Sequence, residues 1–403
     1  MKPLALKDDI YWVGAVDYSS REFHGYSLSP MGTTYNAYLV LDEKITLFDS
    51  VKACSLELML QRIREITDPE RIDYLVVHHV ELDHGGCLPE IVRLCKPKKI
   101  FCSPMGLKSL QGHFDTEGWP IEVKKTGDTL CLGKRTIQFL EARMLHWPDS
   151  MFSYIPEDKL LLCNDAFGQN IACSERFIDE IGRDVVARAM KEYYHNIVQP
   201  FAPQVLKVLD QVAALNLDID MVAPDHGLIF RGKDDVAFAL ERYRTFATPA
   251  WKKRAVITFD TMWHSTEKMA QAIGEGLAEA GVPYQILPLK ANHHSAIMTA
   301  LADAGAVFVG SPTHNNGIMP GVADMLTYMK GLRPKLKIGG AFGSFGWSGE
   351  APRIIQENLE GMGFEMPAPP LGCTFVPKED VLVQCRAFGN TVGQALAQRC
   401  AGE

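Results

Sequence analysis

The sequence lacks several features that would assign it to common functional classes. Its ten cysteines form no Cys-x-x-Cys pair, which excludes zinc ribbons, rubredoxin-type iron sites and thioredoxin motifs. No apolar run approaches the ~18 residues of a membrane span, and no signal-peptide core follows the first residues. Basic residues are not in excess either, because the net charge is −8. We therefore expect a cytoplasmic protein with no membrane and no nucleic-acid partner.

The sequence also contains no internal repeat and no low-complexity tract. Hydrophobic residues make up 47% of the chain and charged residues 22%, as in an ordinary globular protein. Most cysteines lie in apolar stretches, such as Cys163 in Leu-Leu-Leu-Cys-Asn. We expect them to be small buried residues in a reducing compartment.

The length of 403 residues predicts two domains, because a single core stops growing at about 250–300 residues. The pattern along the chain changes near residues 247–254, where a proline and a basic cluster interrupt it. We predict domains at 1–250 and 251–403.

The first domain is predicted to be a layered α/β domain, because strands come in pairs with helices between them. Residues 35–51 predict a hairpin, and residues 72–78 a buried strand. One strand is predicted over 129–144, and a helical pattern covers 176–216. In the second domain, from residue 255 onward, strand, loop and helix alternate five times. This alternation predicts a doubly wound parallel sheet of the flavodoxin type.

The strongest chemical signal is the segment His78-His79-Val80-Glu81-Leu82-Asp83-His84-Gly85-Gly86, which follows an apolar strand. If the backbone stays extended, His79, Glu81 and Asp83 point to one side. His84 then follows at a turn eased by Gly85 and Gly86. The segment therefore predicts half of a metal centre.

Three further potential ligands also follow predicted strands: His146, Asp165 and His226. A single histidine in such a place is more often an ordinary polar residue, so the prediction of a metal centre depends on the complete set. Three carboxylates with three or four imidazoles suit iron or manganese better than zinc, which favours histidine-rich or cysteine-containing sites. The set is large enough for two metals, and Asp165 is a candidate bridge.

These motifs resemble those of the flavodiiron proteins. The His79-x-Glu81-x-Asp83-His84 pattern resembles their variant of the metallo-β-lactamase signature, in which glutamate replaces the middle histidine. Segments 145–149, 164–168 and 224–227 are similar to the family's other ligand segments, and the resemblance covers essentially the whole chain. It implies a metallo-β-lactamase-like αββα sandwich followed by a flavodoxin-like domain. Within the family, the similarity is greatest to the rubredoxin:oxygen oxidoreductases of sulfate-reducing bacteria.

The resemblance also implies a ligand set and an activity. His79, Glu81 and His146 would hold one iron, Asp83, His84 and His226 the other, with Asp165 bridging. The implied reaction is reduction of O2 to water, with electrons relayed through FMN from a separate rubredoxin-like donor, in a head-to-tail homodimer. Reduction of NO to N2O at the same centre is the alternative. The candidate pocket residues are His24, Tyr26, Trp147, Tyr193 and Tyr194.

Three loops in the second domain are candidates for binding FMN, because ligands of such sheets lie at the carboxyl ends of the strands. The first loop leads into a helix whose N-terminus suits the FMN phosphate, although it carries His264 where flavodoxins usually have glycine. The candidate residues are Thr261, Met262, Trp263, His264, Ser265, Thr266, Ser311, Pro312, Thr313, His314, Asn315, Ser344, Phe345, Gly346, Trp347, Ser348 and Gly349. Trp263, Phe345 and Trp347 are equally compatible with stacking on a flavin and with core packing.

Two other functional classes are weighed against this prediction. A zinc-dependent hydrolase of the β-lactamase superfamily would share the first fold, but Glu81 argues against it. A non-catalytic electron carrier or gas sensor would need only the flavin half, and the complete ligand set argues against that.

Overall fold

A computed structural model of the protein describes residues 2–402 and divides into two compact units. The first unit comprises the chain through Gly25, Ser29–Tyr194 and Phe201–Ala247, and the second comprises Tyr26–Leu28, His195–Pro200 and the chain from Thr248. Within residues 2–402, no helix has both the length and the apolar composition needed to cross a membrane.

Two β-sheets form the centre of the first unit. In chain order, the strands that precede residue 250 are β1 (Leu4–Lys7), β2 (Ile10–Trp12), β3 (Ala15–Asp17), β4 (Glu22–Phe23), β5 (Ser27–Leu28), β6 (Thr33–Tyr35), β7 (Tyr38–Val40), β8 (Thr46–Phe48), β9 (Tyr74–Val77), β10 (Lys99–Cys102), β11 (Ile121–Val123), β12 (Thr129–Cys131), β13 (Thr136–Glu141), β14 (Met151–Ile155), β15 (Leu160–Leu162), β16 (Met221–Ala223) and β17 (Phe230–Arg231). The larger sheet has the order β1-β2-β7-β8-β9-β10-β11, and the smaller one β12-β13-β14-β15-β16-β17.

Helices cover these sheets. They are α1 (Leu56–Arg64), α2 (Leu82–Gly85), α3 (Leu88–Cys95), α4 (Pro104–His113), α5 (Arg183–Tyr193), α6 (Ala202–Ala214) and α7 (Lys233–Ala247). Trp12 and Phe48 of the larger sheet pack with Phe139 of the smaller sheet in a shared core. On its other face, the larger sheet packs against Met59 of α1 and Ile91 of α3. Helix α7 contacts β16 and β17 of the smaller sheet. The layers therefore run helix, sheet, sheet, helix.

The second unit contains one parallel sheet of order β19-β18-β20-β21-β22, with helices on both faces. Its strands are β18 (Ala255–Phe259), β19 (Tyr284–Pro288), β20 (Ala306–Gly310), β21 (Ile338–Phe345) and β22 (Leu371–Thr374), and its helices are α8 (Ser265–Glu279), α9 (His294–Leu301), α10 (Pro320–Leu332), α11 (Glu350–Gly361) and α12 (Glu379–Ala401). Helices α8 and α12 approach so closely that a Cβ on Gly276 would lie 1.9 Å from the carbonyl oxygen of Arg386. The predicted alternation is confirmed, and the strand order is that of flavodoxins.

Two sequence-based predictions of elements are wrong. The strand predicted over 129–144 is a hairpin of β12 and β13, which pair antiparallel. The helical pattern over 176–216 is interrupted between α5 and α6 by a π-helical turn at Tyr194–Val198 and a 3-10 turn at Gln199–Phe201. Pro200 and Pro203 explain the break, because proline lacks an N–H and restricts the preceding residue.

Candidate metal centre and flavin site

Seven polar side chains of the first unit meet at one place. They are carried by the segment after β9, by α2, and by the loops that follow β13, β15 and β16. Their members are His79, Glu81, Asp83, His84, His146, Asp165 and His226. His79, His146 and Asp165 form one group, and Asp83, His84 and His226 a second, with the donor atoms of each group within 4.8 Å of one another.

Glu81 belongs to the first group. Its Oε2 lies 3.2 Å from His79 Nε2 and 3.3 Å from His146 Nε2. Asp165 Oδ2 lies 3.5 Å from the same two nitrogens. Two imidazoles and two carboxylates therefore face a common centre.

The second group faces the other oxygen of Asp165. Asp165 Oδ1 lies 3.2 Å from His84 Nε2 and 3.4 Å from His226 Nε2. Asp83 completes this group, with its Oδ2 3.1 Å from His226 Nε2 and its Oδ1 3.4 Å from His84 Nε2. Asp165 thus presents one oxygen to each group, which is the arrangement that a carboxylate bridge between two cations requires.

Hydrogen bonds behind the imidazoles fix their orientation. His79 Nδ1 donates to Asp149 Oδ1 at 3.0 Å, and His226 Nδ1 donates to the carbonyl oxygen of Thr34 at 2.7 Å. When the ring is neutral, its proton therefore lies on Nδ1, and Nε2 faces the centre as the nitrogen that can bind a metal.

The three predicted flavin loops of the second unit surround a cavity of about 410 Å³. Its lining comprises Thr261, Met262, Trp263, Ser265, Pro312, Thr313, Asn315, Asn316, Ser344, Phe345, Gly346, Trp347, Ser348, Phe375 and Val376. Asn316, Phe375 and Val376 were not among the predicted flavin-binding residues. The last two follow β22, so the rule that ligands lie at the carboxyl ends of strands could have found them.

Comparisons with known proteins agree with both sites. Residues 33–227 match the family model described as ODP family beta lactamase, and residues 257–389 match that of flavodoxin. The solved structure of rubredoxin oxygen:oxidoreductase from the anaerobe Desulfovibrio gigas is 52% identical, with a TM-score of 0.98 over 99% of this chain and 100% of that one. A nitric oxide reductase of Moorella thermoacetica is 43% identical over 98% of this chain and 99% of its own length. The flavodiiron protein of Giardia intestinalis is 33% identical, with a TM-score of 0.94 over 100% of this chain and 98% of that one.

This chain belongs to the flavodiiron protein family. The predicted fold, a metallo-β-lactamase-like domain followed by a flavodoxin-like domain, is thereby confirmed. So are the predicted cofactors, FMN and a pair of iron ions.

The side chains at the flavodiiron centre fit cations. Buried side-chain oxygen and nitrogen atoms of Asp83, His84, Asp165 and His226 have no hydrogen-bond partner within residues 2–402. Buried polar atoms are otherwise almost always hydrogen-bonded, so these atoms require another partner. Iron accepts the mixture of carboxylate and imidazole ligands that they offer.

Electrostatics favour the same conclusion. Burial alone would lower the pKa of His79, but hydrogen bonds to Asp149 and Glu81 outweigh it and raise that pKa to about 10. Burial would raise the pKa of Asp165, but the charge of His84 outweighs it and holds the pKa well below its usual range. The carboxylates of the folded centre therefore stabilise positive charge. Metal cations supply this charge when they displace the imidazole protons.

The predicted backbone of the flavodiiron motif is wrong in one respect. An extended segment would place His79, Glu81 and Asp83 on one side, whereas α2 begins at Leu82 and puts Asp83 in its first turn. Each helical residue rotates by about 100°, so Asp83 turns away from Glu81 and joins the second group with His84.

Two of the candidate pocket residues contact the carboxylates of the centre. His24 Nε2 lies 2.5 Å from Glu81 Oε1. Tyr193 donates its phenolic hydrogen to Asp165 Oδ1 at 2.9 Å. Both residues can therefore hold a proton beside the two groups.

The other three candidate pocket residues differ in position. Trp147 packs edge-on against His79, with ring centroids 5.0 Å apart. Tyr194 packs instead against Tyr243, and Tyr26 belongs to the second unit.

Two acidic side chains behind the imidazoles, Asp149 and Asp225, were not predicted from the sequence. Asp149 accepts from His79, and Asp225 Oδ2 lies 3.5 Å from His84 Nδ1. A signal was present, because Asp149 is three residues after His146 and Asp225 directly precedes a predicted ligand.

The cavity of the second unit fits FMN. Thr261 Oγ1 is buried and has no hydrogen-bond partner among the described residues. Helix α8 begins at Ser265, which lines the same cavity as Thr261, so the free N–H groups of its first turn form an anion site there.

Some predicted flavin-binding residues lie outside the cavity lining: His264, Thr266, Ser311, His314 and Gly349. Thr266 Oγ1 lies 3.1 Å from Ser344 Oγ, and Ser311 Oγ accepts from the Met319 N–H. These contacts hold the loops together, and direct flavin contacts of the five residues stay a prediction.

Proposed function

We propose that this flavodiiron protein reduces O2 to water, with a rubredoxin-like protein as electron donor, as in the name of its D. gigas relative. The observation that carries the proposal is the position of Asp165, whose two oxygens face separate groups of ligands. We assign His79, Glu81 and His146 to one iron and Asp83, His84 and His226 to the other, with Asp165 shared.

When bound, the irons and FMN supply the redox chemistry, and O2 reduction additionally consumes protons. The chain positions the ligands and excludes bulk water, since Asp165 is almost fully buried. Tyr193 keeps its phenolic hydrogen beside Asp165 Oδ1. His24 contacts Glu81, and 21% of its side chain is exposed, so it connects the centre to solvent.

For the flavin, we propose that Thr261 and the first turn of α8 bind the FMN phosphate. The remaining residues that line the cavity then surround the ribityl chain and the ring. Trp263 and Trp347, which are 87% and 94% exposed, offer faces on which a flavin ring can stack.

Reduction of NO to N2O at the same centre is the second candidate. The relative from M. thermoacetica favours it, because a protein 43% identical over nearly its whole length is a nitric oxide reductase. A zinc-dependent hydrolase is disfavoured, because Glu81 supplies an anionic oxygen between His79 and His146 and a flavodoxin domain follows.

We further propose domains at 1–250 and 251–403 and a head-to-tail homodimer in the cytoplasm. Exposed Trp263, Trp347 and Phe375 form an apolar surface of the kind that marks protein interfaces. Six of the ten cysteines are buried, as expected of small apolar residues in a reducing compartment. Light scattering tests the dimer, which a monomer at micromolar concentration would contradict.

The decisive experiment is anaerobic purification, followed by iron and FMN analysis and by O2 and NO consumption with reduced rubredoxin. We expect two irons and one FMN per chain and faster consumption of O2 than of NO. Faster NO consumption would replace the first candidate by the second. A zinc-loaded, flavin-free protein would contradict both.

A further inference from the structure

The loop Pro224–Gly227, which carries His226, lies between strands rather than within one. Strand β16 ends at Ala223 and β17 begins at Phe230, so no strand ladder fixes this loop. Gly227 has a φ of +84°, and a Cβ there would lie 2.5 Å from the Gln169 carbonyl oxygen. The position of His226 must therefore depend on other bonds.

Two of those bonds come from segment 164–169: the Asp225 N–H donates to the Asn164 carbonyl oxygen at 2.8 Å, and the Gln169 N–H donates to the His226 carbonyl oxygen at 3.2 Å. The others come from the neighbouring segment Thr34–Tyr38. The Asn36 N–H donates to the Asp225 carbonyl oxygen at 2.7 Å. The Gly227 N–H donates to Thr34 Oγ1 at 2.6 Å, and Tyr38 Oη donates to the Pro224 carbonyl oxygen at 2.6 Å. Segment 34–38 thus holds the loop along its whole length.

The side chain of Asn36 spans both ends of the loop. Its Nδ2 donates to the carbonyl oxygens of Pro224 at 2.7 Å and Gly227 at 3.0 Å. Asn36 is fully buried, so water cannot replace these bonds. One amide group therefore fixes the distance between the two residues that flank Asp225 and His226.

Trp12 determines which way this amide points. Its indole Nε1 donates to Asn36 Oδ1 at 2.8 Å, and an indole nitrogen can only donate. Trp12 is itself buried, with the guanidinium groups of Arg62 and Arg176 4.8 and 4.9 Å from its ring centroid. The Asn36 amide is thus locked with its Nδ2 toward the loop.

We propose that Asn36 is a positioning residue for the second metal, the one assigned above to Asp83, His84 and His226. It acts by holding the loop so that His226 Nδ1 meets the Thr34 carbonyl and Nε2 faces Asp83. This inference rests on the proposed metal centre. The first metal has no ligand from this loop and does not depend on Asn36.

The test follows iron release rather than turnover. The FMN-containing protein, loaded anaerobically with Fe²⁺ alone, is titrated with a chelator, and iron per chain is measured. We compare Asn36→Leu, Trp12→Phe, His226→Ala as the benchmark for loss of the second site, and Thr46→Val as the control. Thr46 is equally buried and bonds the Lys44 carbonyl oxygen, but it does not contact the metal ligands.

We expect Asn36→Leu to release one iron at about 10–100-fold lower chelator concentration, as with other residues that support metal ligands, and to keep the other. Trp12→Phe should shift the release of the same iron by less. If Asn36→Leu fails to fold, Trp12→Phe replaces it as the test. Unchanged release, or an equal shift of both steps, overturns the role of Asn36. If the wild-type protein holds fewer than two irons, or if His226→Ala shifts neither step, the proposed metal centre itself fails.

Discussion

Replacing Asp149 by asparagine should weaken iron binding at the first group of ligands without changing the shape of the site. Asp149 is buried, and its two oxygens accept from His79 Nδ1 at 3.0 Å and from the Val80 N–H at 2.9 Å. Asparagine has the same shape but only one acceptor oxygen. Whichever way the amide turns, its NH2 group faces one of these two donors, so one hydrogen bond is lost.

The expected magnitude follows from this loss. Removing the partner of a metal-binding histidine weakens metal binding by about 10–100-fold, or about 1.4–2.7 kcal/mol. The unpaired buried donor also costs about 1–3 kcal/mol of folding stability. Only the first group contains His79. One iron should therefore be released at a lower chelator concentration than in the wild type, and the other at an unchanged concentration.

Chelator titration of the iron-loaded protein measures the shift, and thermal unfolding of the metal-free protein measures the cost to stability. Asp42→Asn is the matched control. Asp42 accepts the backbone N–H groups of Glu43, Lys134 and Arg135 and contacts none of the metal ligands. Release of both irons as in wild type would refute the role given to Asp149.

Three further predictions concern the second unit. Lys337→Met should stabilise the protein by about 3 kcal/mol at pH 7, because burial and then the charge of Lys252 lower the pKa of Lys337 from 10.5 to about 8. The unfolded chain binds the extra proton between these two pKa values, so the gain in unfolding free energy should fade as the pH rises from 8 to 10.5. Thr261→Val should weaken FMN binding about tenfold or more, measured by flavin fluorescence, because valine has no hydroxyl and the phosphate would lose a hydrogen bond. Gly276→Ala should lower the unfolding free energy by about 1–3 kcal/mol or more, because its Cβ would overlap the Arg386 carbonyl.

Each of these has a matched control. Exposed Lys335→Met should leave the unfolding free energy nearly unchanged, and a pH-independent effect of Lys337→Met would contradict the pKa argument. Thr258→Val removes another buried hydroxyl without a partner among residues 2–402, but outside the cavity, so equal FMN affinities in the two valine variants would exclude a phosphate contact. Gly112→Ala places a Cβ in open space in α4 and should not lower the unfolding free energy of the protein. A Gly276→Ala protein as stable as this control would contradict the predicted overlap with Arg386.

Much of the second unit could be predicted from sequence, because each strand and helix there is a local pattern with loops between. The break between α5 and α6 and the hairpin of β12 and β13 were missed. Both are decided by short local events, two prolines in one case and a turn at residues 132–135 in the other, within otherwise periodic segments.

The sequence by itself determined which residue types are offered to the metals, since His79, Glu81, Asp83 and His84 lie within six residues and follow an apolar strand. Tertiary structure alone decided how they are divided. The short helix α2 sends Asp83 to the second group. Asp165 faces both groups only because the loop that follows β15 in one sheet meets the segment that follows β9 in the other. It also decided which polar groups stand behind the imidazoles, because hydrogen bonds between residues 70 or more positions apart depend on the packing of two sheets and leave no periodic trace in the chain.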